Sequence, residues 1–222
     1  MPRIFTITGI ESPPRRHRVT EKKDKQNFIV DHIPGAEHPA LEGTLNAVGM
    51  RFALVVSRFN AFITERLLSS AIDGLLRSGA EKRNIDLVRV PGAFEVPLAA
   101  RKLAETKKYD AIICIGCLLR GDTAHYDVIV NEVTRGIGQS AQETGVPHAF
   151  GVLTCETLEQ AIDRAGLKMG NKGFEAALAA VEMASLKTAI SRQPSAVSKK
   201  RVSKFFRTEK PKKSQGAKTK RK

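Results

Sequence analysis

The residues whose types and spacing can do chemistry gather in GCLLRGDTAHYD (116–127). Gly121 permits a tight turn there, and Asp122-Thr123 can cap a helix that follows. The free N–H groups of such a helix start, helped by the positive end of its dipole, form a binding site for a phosphate. His125 falls in the first turn of the same helix. The dipole works against its charged form and a bound phosphate works for it, a balance that suits proton transfer. On this segment alone a partly exposed capping histidine is the simpler account.

Other segments add to it. VPGAFEVP (90–97) bends at Pro91-Gly92 and presents main-chain groups beside Glu95, a plausible clamp for a polyhydroxyl chain. SRFNAF (57–62) offers the flat face of Phe59 and the amide of Asn60. Phe150 lies in a later apolar run, and Arg164 closes a short helix from which it can pin a phosphate by bidentate hydrogen bonds. Each is bland alone. Together they supply aromatic surface, a polyol clamp, a phosphate site and a proton carrier.

Three other signals fail on context. Cys114 and Cys117 form a C-x-x-C inside an apolar run, where a three-residue offset on a strand sends the side chains to opposite faces. Redox pairs of this kind instead open a helix, so these are read as buried structural cysteines, and Cys155 has no evident partner. GIGQSA (136–141) spells a dinucleotide fingerprint but lies within a helical stretch, where its small residues serve close packing. A flavodoxin-like electron carrier needs a Gly- and Ser/Thr-rich phosphate loop after the first strand, and SRFNAF has no glycine.

The elements that must position these residues follow from hydrophobic patterning. FALVVS (52–57), IDLVRV (85–90), DAIICIGCLL (110–119) and HAFGVLT (148–154) are apolar without polar alternation, as strands buried on both faces are. Leu67, Leu68, Ala71, Ile72, Leu75 and Leu76 make a helical stripe that Ser78-Gly79 ends. Further helices are expected from about Val96 to Glu105, from about Thr123 to Glu143, near 157–165 and near 172–186. Repeated βα units predict an α/β fold, a parallel sheet with helices on both faces, and ligands at the carboxyl ends of its strands.

The chain carries a formal net charge of +14, and nearly all of it is local. Residues 187–222 hold 14 Lys or Arg against the single acid Glu209, a net +13, whereas residues 1–40 give +2 and residues 41–186 give −1. Three zones follow: a flexible N-terminal extension, 1–40; a folded domain, 41–186; and a disordered basic tail, 187–222. The basicity therefore says nothing about the chemistry of the core. No apolar run approaches the roughly 18 residues that cross a bilayer. The first residues lack a secretory pattern and the head contains Glu11, Glu21, Asp24, Asp31 and Glu37, so a soluble cytoplasmic protein is expected.

Taken in order and spacing, SRFN, VPGAFEVPLAA, GCLLRGDTAHYD, FGVLT and IDRAGLKMGNKGFEAA resemble the lumazine synthase family across nearly all of 41–186. The resemblance implies a three-layer flavodoxin-like sandwich with a four-stranded parallel sheet, and a pentamer whose active sites are shared between neighbouring subunits. It implies condensation of 5-amino-6-ribitylaminouracil with 3,4-dihydroxy-2-butanone 4-phosphate, with no metal and no cofactor. By motif, Phe59 should stack on the pyrimidine, Ala93, Phe94 and Glu95 should hold it with its ribityl chain, and Cys117, Leu118 and Leu119 should line the pocket through their main chain. Asp122, Thr123 and Arg164 should hold the sugar phosphate, His125 should move protons, and Phe150 should reach in from the adjacent subunit. A carboxylate beside a phosphate repels it, so Asp122 is expected to contribute its main chain, with its side chain turned away or capping. The short turn RAGLKMGNKG (164–173) resembles that of family members forming 60-subunit icosahedral shells, on which the tail would be a cationic brush able to bind nucleic acid or other polyanions. Two rivals stand beside this expectation: an archaeal-type riboflavin synthase of the same fold, against which Thr123 and Arg164 speak, and a scaffold whose tail binds acidic cargo.

Overall fold

A computed structural model of the chain describes residues 40–168 and 170–193. The expected N-terminal extension, Ala40 apart, and the basic tail beyond Gln193 lie outside the described residues. Four strands, β1 (Phe52–Ser57), β2 (Ile85–Val90), β3 (Ala111–Leu119) and β4 (His148–Cys155), pair in parallel in the order β2-β1-β3-β4. Five helices connect and cover them: α1 (Ala61–Arg77), α2 (Val96–Glu105), α3 (His125–Thr144), α4 (Leu158–Arg164) and α5 (Lys172–Arg192). This is the flavodoxin-like α/β sandwich with a four-stranded parallel sheet that the patterning and the resemblance implied.

The apolar runs without alternation are explained by two cores. Phe52, Leu54, Val56, Ile113, Ile115 and Cys117 pack with α1, α4 and α5 on one face. Ala53, Val55, Ile112 and Cys114 pack with α2 and α3 on the other. Cys114 and Cys117 thus point to opposite faces, and burial pushes both thiols up to about 12. Glycines and alanines let the covering helices come close. A Cβ at Gly136 would lie 2.9 Å from Pro97 Cβ, so the contact of α3 with α2 needs that glycine, whereas Gly138 of the same GIGQSA string has nothing within 4 Å and serves no such packing.

Two helix boundaries differ from the patterning. The third helix starts at His125 rather than near Thr123, with Ala124 at its N-cap and no side-chain capping bond. Asp122 and Thr123 therefore do not cap it, and Gly121 takes no left-handed angle. At the other end α5 runs to Arg192, six residues beyond the expected Leu186. Its last turns keep Leu186, Thr188 and Ala189 half-buried, and Arg192 suits the negative end of the helix dipole. The start of β4 is pinned to α3: Val146 offers only a carbonyl to His148 Nδ1 at 2.8 Å, so Nδ1 carries the proton, and Nε2 accepts from the Ser140 hydroxyl at 2.9 Å.

Candidate active site

In the strand order β2-β1-β3-β4 the crossovers leave β1 and β3 in opposite directions, which opens a crevice between their carboxyl ends. The loops around that crevice are tied to each other rather than hanging free. The Arg58 and Phe59 N–H groups donate to the carbonyls of Val90 (2.8 Å) and Pro91 (3.2 Å), joining β1 to β2. Asn60, in a left-handed conformation with φ 59°, begins α1 and donates from Nδ2 to the Cys117 carbonyl at 2.9 Å, joining β1 to β3. The Arg120 N–H donates to the Cys155 carbonyl at 2.9 Å, joining β3 to β4. Every adjacent pair of strands is thereby laced at the edge where a ligand would sit.

On this rim Phe59 and Phe94 stand 68% and 55% exposed, apolar rings presented to solvent instead of core. Ala93 is buried, its Cβ packed 3.3 Å from where a Cβ at Gly116 would lie. The Glu95 carboxylate reaches back to accept from the Gly92 N–H at 2.8 Å, which closes the Pro91-Gly92 bend and leaves its second oxygen without a partner from that turn. Leu118 and Leu119 are half-buried at the end of β3, and the Cys117 carbonyl, expected as pocket lining, is already shared with Asn60.

Beyond β3, Asp122, Thr123 and His125 are all exposed, at the start of α3. The helix start they form presents unsatisfied N–H groups, as an anion site requires. Arg164 ends α4 in the exposed class and lies close enough to Cys155 for its charge to draw that thiol down against the larger raising effect of burial. It joins none of the ion pairs formed among the described residues.

Phe150 is the candidate that the structure does not bring to this rim. It pairs with Cys114, three residues before Leu153 meets Cys117, about 10 Å back along the strand. There it sits on the outer strand of the sheet and is 37% exposed.

Two residues of the site region carried no role in the sequence. Arg120 holds Asp127 in the first turn of α3 by two bonds of 3.0 and 2.8 Å, and Glu156 after β4 by a third of 2.5 Å. Its guanidinium also lies 4.3 Å from the ring centre of Tyr126. Those carboxylates raise the Arg120 pKa further, and Arg120 holds the Asp127 carboxyl below its usual range. Asn171 fixes the turn after Arg164: its Nδ2 donates to the Ala165 carbonyl at 2.7 Å, and its Oδ1 accepts from the Gly173 N–H at 2.9 Å, capping α5. An Asn before a helical run is a legible cap; the contacts of Arg120 span three elements and leave no local pattern.

The family described as 6,7-dimethyl-8-ribityllumazine synthase matches residues 49–188. Among curated proteins, the 6,7-dimethyl-8-ribityllumazine synthase of Desulfotalea psychrophila (strain LSv54 / DSM 12343) is 58% identical over 150 residues, which covers 68% of this chain and 97% of that protein.

Proposed function

The chain belongs to the 6,7-dimethyl-8-ribityllumazine synthase family, transferases of riboflavin biosynthesis, and we propose that it condenses 5-amino-6-ribitylaminouracil with 3,4-dihydroxy-2-butanone 4-phosphate. What supports this reading is the exposure of Phe59 and Phe94 at strand ends tied to one another, an open helix start with His125 after β3, and Arg164, outside every ion pair among the described residues, at the end of α4. In the proposed reaction the pyrimidine amine attacks the ketone and loses water to give an imine. Phosphate is eliminated, and ring closure with loss of a second water gives the lumazine. Phe59 stacks on the pyrimidine, while Phe94, Glu95 and the main chain of Ala93 and Cys117–Leu119 hold it and its ribityl chain. The main chain at Asp122 and Thr123, with Arg164, holds the phosphate, and His125 carries protons between neighbouring atoms. Both reactants are intrinsically reactive, so positioning supplies much of the rate, and acid–base help from His125 adds on the order of ten- to a few hundred-fold.

Phe150 fits this scheme if a neighbouring subunit supplies it. Its place on the outer strand, away from its own rim, supports a pentamer with shared sites. The seven residues from Ala165 to Asn171 that join α4 to α5 support a closed 60-subunit shell. We place the enzyme in the cytoplasm, with residues 1–40 as an extension and the basic residues that follow α5 as a polyanion-binding segment.

The decisive assay supplies both substrates to purified protein and follows lumazine and phosphate together; phosphate and lumazine should appear in equal amounts. No lumazine with both substrates present refutes the proposal, and riboflavin formed from lumazine alone would transfer it to a riboflavin synthase. Light scattering tests the assembly, a pentamer-sized mass excluding the shell. Titration of full-length and 1–193 proteins, the latter keeping all of α5, with RNA at rising salt tests the tail, equal affinities excluding it.

A further inference from the structure

The helix start that would hold the phosphate lacks the usual local supports. Ala124 at the N-cap makes no side-chain bond, Gly121 faces open space, and Asp122 and Thr123 are exposed. Arg120 makes most of the contacts that hold this turn among the described residues. Its main-chain N–H is bonded to Cys155, its two terminal nitrogens grip Asp127, its Nε meets Glu156, and its plane covers Tyr126. Tyr126 and Asp127 directly follow His125. Glu156 begins the turn whose Thr157 caps α4, the helix that ends at Arg164.

We propose that Arg120 is a positioning residue, which holds the His125 helix start against the end of β4 and the turn at Glu156 without touching substrate. This inference rests on the function proposed above. The guanidinium suits the task because its planar fork meets one carboxylate with two parallel bonds while its Nε meets another, which an ammonium cannot do. Its charge is spent on Asp127 and Glu156, leaving Arg164 as the cation for the phosphate. The side chains of Arg120, Asp127 and Glu156 are 37%, 55% and 56% exposed, so the cluster adds little to stability and its value lies in geometry.

Stability and catalysis should therefore separate. Arg120→Ala should leave the assembly mass unchanged and the melting temperature within a few degrees, while lowering kcat about tenfold to a hundredfold, the scale of a misplacement near 1 Å. The KM for the pyrimidine should stay, and that for the sugar phosphate should rise. Arg120→Lys should behave like Arg120→Ala. In a His125→Ala background the same substitution should lower kcat less than about threefold, because a misplaced imidazole no longer matters once it is gone. Equal losses in both backgrounds, an unchanged kcat, or full rescue by Lys overturns the proposal. Should Arg120→Ala fail to fold, Asp127→Asn decides: it keeps size, removes the charge-assisted pair, and should lower kcat several-fold only where His125 is present. Wild-type protein that forms no lumazine overturns the underlying function instead.

Discussion

Gly173→Ala should destabilise the protein although alanine is the better helix former. Gly173 is the second residue of α5, and a Cβ there would lie 2.0 Å from the Leu67 carbonyl oxygen, 2.7 Å from its carbon and 2.9 Å from its Cα. All three obstacles are backbone atoms of α1, so no rotamer change relieves them. To reach ordinary contact the two helices must part locally by roughly 1.4 Å, in an interior packed at crystal density. That separation opens the layer where Leu67, Ala71 and Leu75 meet Ala176, Ala177, Ala180 and Val181. Overpacking of this kind costs about 3 kcal/mol or more when the backbone is the obstacle, and improved helix propensity returns at most about 1 kcal/mol. The net is about 2 kcal/mol, a fall in melting temperature of about 4–8 °C for a chain of this size. Calorimetry at one fixed protomer concentration measures it, since assembly is linked to folding. Gly138→Ala is the control, because nothing lies within 4 Å of its Cβ position in α3 and the change should be neutral or slightly stabilising. A Gly173→Ala protein within about 0.5 kcal/mol of wild type would refute the close-approach reasoning. The Gly173 N–H also donates to Asn171, so the KM for the sugar phosphate should rise with the loss of stability.

Three further outcomes follow from the same contacts. His125→Ala should lower turnover by about one to two orders of magnitude with little change in substrate binding, whereas Arg164→Ala should raise the KM for the sugar phosphate strongly; steady-state kinetics with each substrate varied separates the two. Burial lowers the His148 pKa, so its neutral form stabilises the fold above the ordinary histidine pKa of 6.5 and that contribution is lost as pH falls below it. Urea titrations from pH 7 to 5 should show a shallower decline for His148→Gln than for wild type, and identical slopes would count against the assignment. With thiols near 12, about one in 10⁴ of Cys114 or Cys117 is thiolate at pH 8, so iodoacetamide should label them only after denaturation, as mass spectrometry reads.

The strands were legible because a run such as FALVVS, apolar at five successive positions, has one explanation in an α/β chain: both faces are covered. The opposed cysteines followed from the strand period, and the packing account of GIGQSA from its helical context held for Gly136 but not for Gly138. The start of α3 was misplaced for a physical reason. Asp122-Thr123 satisfies the local rule for a cap, but the bidentate Arg120–Asp127 pair holds the turn from outside, and the helix begins two residues later. Charge composition likewise suggested a tail from Lys187, while α5 continues to Arg192 because a helix end tolerates and favours cations. Rules that read neighbours along the chain missed contacts that join separate elements.

The same distinction governs how the proposed site can work. Its rim is joined between each adjacent pair of strands: Arg58 to Val90 and Phe59 to Pro91, Asn60 to Cys117, and Arg120 to Cys155. The groups that would meet substrate, Phe59, Phe94, His125 and Arg164, are exposed and stand on that frame. Asn60 is the centre of it, holding a left-handed angle of 59° and bridging the crevice between β1 and β3. A non-glycine residue in that conformation is retained when surrounding contacts fix it, and here the hydrogen bond from the Asn60 side-chain amide to the Cys117 carbonyl does so beside the exposed Phe59. Asparagine is also among the few residues that adopt this angle readily, so both its backbone and its side chain suit the position. For two reactive substrates that need orientation more than activation, a fixed frame carrying uncommitted side chains is the arrangement that converts binding into rate.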